Sequence, residues 1–224
     1  MDYKEKFVRL MLEAGVLKFG EFKTKSGRLS PYFINTGNYS TGRELKLLGE
    51  FYADLIMDKL KNKVDFLYGP AYKGIPLAAA VSIALYNKYN IEMPYCFNRK
   101  EAKDHGEGGV IVAYQPKDGD RALIIEDVIT AGTSVRESVP ILKAKADVHI
   151  GSMVISVDRM EKGYNGKTAI SEVKEEFNID TYPIVSVKDI IEILYNKEID
   201  GKIIMNDAIK ASIEAYMAEY CVTE

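Results

Sequence analysis

The spacing of hydrophobic residues changes along the chain, from helical periods to short apolar runs and back. Helical spacing predicts amphipathic helices over residues 3–14 and from Thr41, whose side chain suits a helix N-cap, to about residue 60. Between them, residues 16–32 are predicted to form short extended segments broken by turn residues. We therefore expect a small N-terminal cap over residues 1–40, ahead of a main domain over residues 41–224.

Beyond residue 60, short apolar runs alternate with longer helical stretches. Strands are predicted at residues 66–68, 94–97, 110–114, 121–125 and 148–157, and helices at residues 74–89 and 133–144. Three more helical patterns, at residues 169–177, 187–195 and 206–220, carry no chemical motif and are expected to serve packing or subunit contact. The alternation predicts an α/β fold whose mostly parallel twisted sheet is flanked by helices. In such a sheet, ligands bind beyond the carboxyl ends of the strands.

Composition and charge exclude several classes of protein. The 224 residues are 47% hydrophobic, enough for one buried domain with an appendage but too few for two full enzyme domains. The formal net charge of −3 argues against general affinity for nucleic acid or membranes, so anions must be bound by local basic clusters. The two cysteines, Cys96 and Cys221, are too far apart in sequence for a CxxC metal motif.

The amino-terminal residues do not have the pattern of a signal peptide, because charged residues recur there at helical spacing. No apolar run reaches the length of a membrane span. A cytoplasmic location is expected.

The sequence RALIIEDVITAGTSV at residues 121–135 combines an apolar run, two acidic residues and a loop of small, hydroxyl-bearing residues. The loop and the helix after it would offer backbone N–H groups and a positive helix end to a phosphate. A ribose whose 5′-phosphate lies in this loop would place its 2′- and 3′-hydroxyls beside Glu126 and Asp127, which also suit a magnesium ion. A capped helix beside a solvated acidic pair is the alternative, and the order of the three features disfavours it.

The sequence YGPAYKGIP at residues 68–76 offers a second cradle for an anion. Its glycines and prolines allow an unusual backbone path close to a ligand, around Tyr72 and Lys73. The lysine supplies charge and the turn supplies N–H groups. An ordinary Gly/Pro turn between a strand and a helix is the alternative.

Residues 98–109 form a polar, glycine-rich stretch between two predicted strands. Its basic residues are Arg99, Lys100, Lys103 and His105. We expect a loop that moves until an anion arrives and then closes over the site, bringing cations to a leaving group and excluding water. A solvated charged loop without that role is the alternative.

Together with KSGRLSPYFIN at residues 25–35, these segments resemble the motifs of the type I phosphoribosyltransferases, and among them those of the orotate phosphoribosyltransferases. The likeness runs from about residue 20 to about residue 163. It implies the type I phosphoribosyltransferase fold and the transfer of ribose 5-phosphate from phosphoribosyl pyrophosphate to orotate in pyrimidine biosynthesis, with Mg²⁺ as cofactor. It further implies a homodimer in which the loop at residues 98–109 reaches into the neighbouring subunit's site.

The resemblance also assigns roles to individual residues. Phosphoribosyl pyrophosphate is expected to contact Tyr72, Lys73, Arg99, Lys100, Lys103, His105, Glu126, Asp127, Val128, Ile129, Thr130, Ala131, Gly132, Thr133 and Ser134. The expected catalytic residues are Lys103, Lys73, Arg99 and His105. Lys103 should contribute most, because its charge meets the negative charge that grows on the leaving pyrophosphate. No residue is predicted as a certain metal ligand, and magnesium is expected to come with the substrate, near Glu126 and Asp127.

For the base, the resemblance implies contacts to Lys25, Phe33, Ile34, Thr130 and Arg159. Arg159 can hold the carboxylate of orotate through two parallel hydrogen bonds, and Lys25 adds charge. Phe33 would lie against the planar ring. Family members often carry a second aromatic residue where this chain has Ile34, and a contact through the main chain would survive that change.

Two other functions are weighed against this one. A phosphoribosyltransferase for a purine or another base is disfavoured, because a purine has no carboxylate for Arg159 to hold. A non-catalytic regulator that senses phosphoribosyl pyrophosphate would show an exposed basic face and would lack the loop residues. The chain is acidic overall and retains the basic residues of the loop at residues 98–109.

Overall fold

The computed structural model describes residues 2–24, 27–103, 109–129, 132–163 and 165–222, apart from the side chains of residues 102 and 103. The chain begins with helix α1 (Tyr3–Glu13), an antiparallel hairpin of strands β1 (Leu17–Lys23) and β2 (Leu29–Ile34), and helix α2 (Gly42–Lys59). The predicted N-cap of α2 is confirmed: Thr41 and Glu44 form a reciprocal capping box.

A six-stranded sheet forms the centre of the fold. Its strands are, in chain order, β3 (Phe66–Gly69), β4 (Tyr95–Lys103), β5 (Gly109–Ala113), β6 (Arg121–Ile125), β7 (His149–Asp158) and β8 (Asp180–Ser186). The spatial order is β5-β4-β3-β6-β7-β8, and only β5 runs antiparallel to its neighbour. The predicted mostly parallel α/β sheet is confirmed.

Five further helices accompany the sheet. They are α3 (Gly74–Tyr89), α4 (Thr133–Lys145), α5 (Ala169–Phe177), α6 (Val187–Leu194) and α7 (Asp207–Tyr220). Between α6 and α7 lie two short paired strands, β9 (Glu198–Ile199) and β10 (Lys202–Ile203). The five helices agree with the helical spacing of the sequence to within a few residues.

Hydrophobic cores lie on both faces of the sheet, because side chains alternate along each strand. Leu67 and Leu123 point into a core shared with α1, α2, α3, α6 and α7. Phe66 and Ile124 point into a second core built with α4 and α5. Because both faces are covered, the central strands β3 and β6 are almost entirely apolar, and they appear as continuous apolar runs in the sequence.

Two expectations about the strands are wrong. Residues 98–103 are not part of a loop: β4 continues through them, and β5 begins at Gly109. Polar residues can extend this strand because it lies next to the edge of the sheet, where its far end pairs only with β5. Strand β8 is absent from the prediction, because DTYPIVS contains a proline and lacks a long apolar run.

The division of the chain at residue 40 stays a prediction. Helix α1 shares the first core, where Phe7 and Met11 are fully buried together with residues of α2 and α6. In the described ranges, no helix has both the length and the apolar character needed to cross a membrane.

Candidate active site

The acidic pair Glu126–Asp127 lies at the carboxyl end of β6, where neighbouring elements fix its backbone. The N–H of Glu126 donates to Val154 of β7, and the carbonyl of Glu126 accepts the hydroxyl of Tyr52 at 2.7 Å. The carbonyl of Asp127 accepts both the N–H and the hydroxyl of Ser156, at 2.8 and 2.6 Å. The backbone of both acidic residues is therefore held from two sides, by α2 and β7.

The carboxylate of Asp127 is the centre of a small polar network. Its Oδ2 accepts the ammonium of Lys73 at 2.8 Å and the hydroxyl of Thr36 at 2.5 Å, and its Oδ1 accepts the N–H of Val128 at 2.7 Å. Lys73 also donates to Thr36, at 3.2 Å. Burial acts to raise the pKa of Asp127, but the hydrogen bonds from Lys73, Thr36 and Val128 outweigh it and lower that pKa. Asp127 is consequently an anion at neutral pH.

Glu126 lies in a different environment. Its side chain is buried, and its Oε1 accepts the N–H of Asp127 at 3.0 Å. Burial, and then the neighbouring charge of Asp127, raise the pKa of Glu126 to about 7. The adjacent carboxylates therefore differ in charge near neutral pH, and the donors of a ligand would favour ionisation of Glu126.

We expect Glu126→Gln to raise the free energy of unfolding of the substrate-free protein at pH 8 by on the order of 2 kcal/mol, with a smaller difference at pH 5. Between the ordinary pKa of 4.5 and the folded value of about 7, the native state binds more protons than the unfolded state. The free energy of unfolding of the wild type therefore falls as pH rises through that window. The neutral amide of Glu126→Gln does not titrate, so the variant avoids this fall. Urea denaturation at pH 5 and pH 8 measures the difference between the two proteins.

The matched control for this prediction is Glu137→Gln, an exposed change on α4. The difference in free energy of unfolding between this variant and wild type should be the same at pH 5 and at pH 8. A stability gain for Glu126→Gln that fails to grow with pH would show that Glu126 is not the titrating group.

The turn after the acidic pair leads directly into α4. Gly132 has a left-handed backbone with φ of +67°, and no described side chain caps the first turn of the helix. The first N–H groups of α4 are consequently available to an anion. Val128 and Ile129 pack into the two cores, so only their backbones can contact a ligand. Thr130 and Ala131 lie outside the described residues.

The second predicted cradle, between β3 and α3, depends on two glycines in close contact. A Cβ atom on Gly69 would lie 2.2 Å from the carbonyl oxygen of Gly74, and a Cβ on Gly74 would lie 2.9 Å from the carbonyl oxygen of Ile125. The peptide between Ala71 and Tyr72 is cis. The close approach of Gly69 and Gly74 allows the turn to pack against the end of β6. Lys73 in this turn therefore reaches Asp127.

Gly69→Ala should lower the free energy of unfolding by about 3 kcal/mol, because the added methyl group meets backbone on the next turn and has no space to relax. The comparison is Gly42→Ala in the first turn of α2, where nothing lies within 4 Å of the added carbon. That change should alter stability by about 1 kcal/mol or less. Equal effects of the two substitutions in urea denaturation would contradict the close packing.

Asn98 supports the second cradle, although its sequence position suggested a mobile loop. Its Oδ1 accepts the hydroxyl of Tyr68 at 3.0 Å and the N–H of Ala71 at 2.9 Å. The expectation that residue 98 belongs to a mobile polar loop is therefore wrong, because this amide is buried in β4 and satisfies a backbone group of the turn.

The basic residues after Asn98 lie partly within the described chain. The ammonium of Lys100 lies 5.2 Å from the centre of the Tyr72 ring, and that ring is 69% exposed. The start of the basic stretch is thus next to the second cradle. The side chain of Lys103 and all of His105 lie outside the described residues.

The hairpin of β1 and β2 brings the predicted base-binding residues toward the loop after β7. The guanidinium carbon of Arg159 lies 4.9 Å from the ring centre of the buried Tyr32. Phe33 is 41% exposed and stacks on Phe22, with ring centres 5.3 Å apart, on the other face of the strand. Ile34 packs against the first core. Lys25 lies outside the described residues.

The site thus brings together Lys73 and Asp127, the first turn of α4, and the start of the basic stretch. Sequence analysis missed Thr36, Tyr52 and Asn98. Thr36 follows β2 in a segment of ordinary turn residues, and its contact with Asp127 joins positions 91 residues apart. A local pattern gives no signal for such a contact.

Known proteins resemble this chain over nearly its whole length. Residues 36–185 match the family model described as a phosphoribosyl transferase domain. The chain is 51% identical to an orotate phosphoribosyltransferase of Clostridium beijerinckii, covering 97% of each chain, and 51% identical to that of Clostridium acetobutylicum, covering 99% of each. A crystal structure of orotate phosphoribosyltransferase from Francisella tularensis is 37% identical, with a TM-score of 0.85 over 99% of this chain and 98% of that one.

Proposed function

Because the chain belongs to the phosphoribosyl transferase family, and within it to the orotate phosphoribosyltransferases, we propose that it transfers ribose 5-phosphate from phosphoribosyl pyrophosphate to orotate. The products are orotidine 5′-monophosphate and pyrophosphate, in pyrimidine biosynthesis. The observation that carries the proposal is the contact of Lys73 with Asp127, 2.8 Å long, which joins the two anion cradles at neighbouring strand ends. One substrate bearing both a 5-phosphate and a pyrophosphate on a ribose fits that arrangement.

The charges of the site suit the bond that breaks. As the bond between the sugar and pyrophosphate lengthens, positive charge grows on the sugar and negative charge grows on the leaving group. Glu126 and Asp127 would accept the ribose hydroxyls and favour the cationic sugar. The side chain of Lys73 is 58% exposed, so it is free to leave Asp127 for the pyrophosphate. Its departure would open Asp127 to the ribose.

The 5-phosphate is placed at the start of α4. The open first turn, with Gly132, Thr133 and Ser134, supports this assignment. Thr130 and Ala131 belong to the same proposed contact through the sequence motif. The side chains of Val128 and Ile129 pack against the two cores, which supports a contact through their backbones.

Magnesium fits the site as an ion bound with the substrate. In the described part of the chain, no group of three or more His, Cys, Asp or Glu side chains could hold a metal by itself. Two carboxylates, Glu126 and Asp127, remain near the proposed ribose, and magnesium readily combines few protein ligands with water and phosphate oxygens. When bound, it would supply positive charge to the pyrophosphate.

The base is placed between the hairpin of β1 and β2 and the loop after β7. The position of Tyr32 beneath the guanidinium of Arg159 supports this assignment, because it puts β2 next to the proposed carboxylate clamp. Phe33 and Ile34 follow Tyr32 on the same strand. Lys25 and Thr130 complete the proposed contacts by their sequence motifs.

A homodimer is part of the proposal. Helix α3 exposes large apolar side chains on its outer surface, with Ile83 at 62% and Tyr86 at 52% exposure. Helix α3 begins directly after Lys73 of the second cradle, so a partner docked on this helix could bring Arg99, Lys103 and His105 to the other subunit's site. No contact with nucleic acid or membrane is proposed, and the cytoplasmic location stays a prediction.

The direct test is to mix the protein with orotate, phosphoribosyl pyrophosphate and magnesium, and to follow the loss of orotate absorbance. The proposal predicts stoichiometric release of pyrophosphate and no turnover when adenine or hypoxanthine replaces orotate. Turnover with a purine alone would favour the transferase for another base. Binding of phosphoribosyl pyrophosphate without turnover of any base would favour the regulator.

A further inference from the structure

Arg159 belongs to a side-chain cluster that joins β2, the loop after β7 and the carboxyl-terminal helix α7. Its Nε and Nη2 atoms donate to Oε1 of Glu161, at 3.1 and 2.6 Å. The same Oε1 accepts the hydroxyl of Tyr216 from α7, at 2.8 Å. The ring of Tyr32 lies under the guanidinium and meets the ring of Tyr216 edge-on, with centres 5.9 Å apart. Glu161 therefore receives three donors on one oxygen.

Glu161 binds one edge of the Arg159 guanidinium, and a second edge remains for a ligand. Glu161 takes the edge formed by Nε and Nη2, and its two hydrogen bonds leave the end formed by Nη1 and Nη2 for another acceptor. That end can donate two parallel hydrogen bonds to a carboxylate. Because the side chain of Arg159 is only 15% exposed, few other orientations are open to it.

The backbone of Glu161 is tied to the end of α7 as well. Glu161 pairs with Cys221 in an isolated antiparallel bridge, and the N–H of Lys162 donates to the carbonyl of Tyr220 at 2.8 Å. The carboxyl-terminal helix thus holds Glu161 through both main chain and side chain. These contacts link Arg159 and Glu161 to a helix whose sequence carries no chemical motif.

We propose that Glu161 and Tyr216 are positioning residues that orient Arg159 for the carboxylate of the base, so that α7 contributes to the choice of orotate. The inference rests on the proposed function, in which Arg159 holds that carboxylate. A guanidinium fixed before binding loses less freedom when it captures its ligand, so affinity for orotate depends on the fixing contacts. Neither residue touches the reacting atoms, so the chemical step should not depend on them.

Steady-state kinetics of three variants test the proposal. Glu161→Ala should raise the KM for orotate about 10- to 100-fold, because the guanidinium loses its fixed orientation. Tyr216→Phe removes only the hydroxyl and should raise the KM for orotate about threefold to tenfold. In both, kcat and the KM for phosphoribosyl pyrophosphate should stay within about twofold of wild type. Glu161→Gln keeps an acceptor oxygen, so its KM for orotate should lie between wild type and Glu161→Ala.

The matched control is Tyr195→Phe, which removes a tyrosine hydroxyl that donates to Asp207 at 3.0 Å, at the start of the same helix. It should leave the KM for orotate unchanged. Two results would overturn the proposal, provided that wild type turns over orotate. In the first, Tyr216→Phe and Glu161→Ala keep the wild-type KM for orotate. In the second, kcat falls and the KM values for both substrates rise together. No turnover by wild type would instead reject the proposed function. If Glu161→Ala does not fold, Tyr216→Phe decides alone.

Discussion

Changing Asp127 to Asn should lower kcat/KM for phosphoribosyl transfer about 100- to 1000-fold, the scale seen when one preorganised group that stabilises charge at the reacting centre is removed. Asp127 accepts hydrogen bonds from Lys73, Thr36 and the Val128 N–H. An amide keeps the size of the side chain but has no negative charge for the cationic sugar. The amide NH₂ group would also face hydrogen-bond donors of the site, whereas both carboxylate oxygens of Asp127 accept from them. Steady-state kinetics with orotate measure the loss.

The control is Asp54→Asn, which changes another aspartate paired with a lysine. Asp54 accepts Lys88 at 2.5 Å and Tyr89 at 2.6 Å, between α2 and α3 and away from the cradles. Both variants should be folded in the absence of urea, and Asp54→Asn should retain activity. A loss below tenfold in Asp127→Asn would contradict the role of this carboxylate.

Changing Lys103 to Ala should lower kcat about 100- to 1000-fold while the KM for orotate changes less than about threefold. Lys103 ends β4, and its charge is proposed to meet the leaving pyrophosphate only as the bond breaks. An interaction made only in the transition state lowers the rate without weakening the bound base. Lys117→Ala, an exposed lysine in the turn before β6, should change neither constant. Equal losses in kcat and in orotate affinity would contradict a transition-state role.

Mixing Lys103→Ala with Asp127→Asn tests whether the basic stretch acts across subunits. If it does, a mixed dimer has one pocket with both defects and one pocket with none. Random exchange should then restore about a quarter of wild-type activity, because about half of the dimers are mixed and each holds one intact pocket. Activity that stays at the sum of the two separate variants would show that each chain completes its own pocket.

Much of this fold can be predicted from local sequence, because the spacing of apolar residues within a short stretch indicates whether it forms a helix or a buried strand. Apolar runs give the central strands, which are covered on both faces, and the helical spacing of residues 74–89 corresponds directly to α3. The acidic pair is predictable for the same reason: it follows β6 at a strand end, where α/β sheets bind ligands.

The contacts that complete the site are long-range, and local patterns do not encode them. Thr36 reaches Asp127 across 91 positions, and Tyr216 reaches Glu161 across 55. Asn98 is a polar residue in a polar stretch, and only the fold turns it inward to Ala71. In each case the packing of distant elements brings an ordinary side chain to the candidate site.

A crystal structure of the protein with orotidine 5′-monophosphate tests the assignment of the site most directly. We expect the phosphate to lie against the first backbone N–H groups of α4, the ribose hydroxyls at Glu126 and Asp127, and the base carboxylate at Arg159. A nucleotide whose phosphate binds away from the turn at Gly132, or whose ribose does not reach the acidic pair, would contradict this assignment.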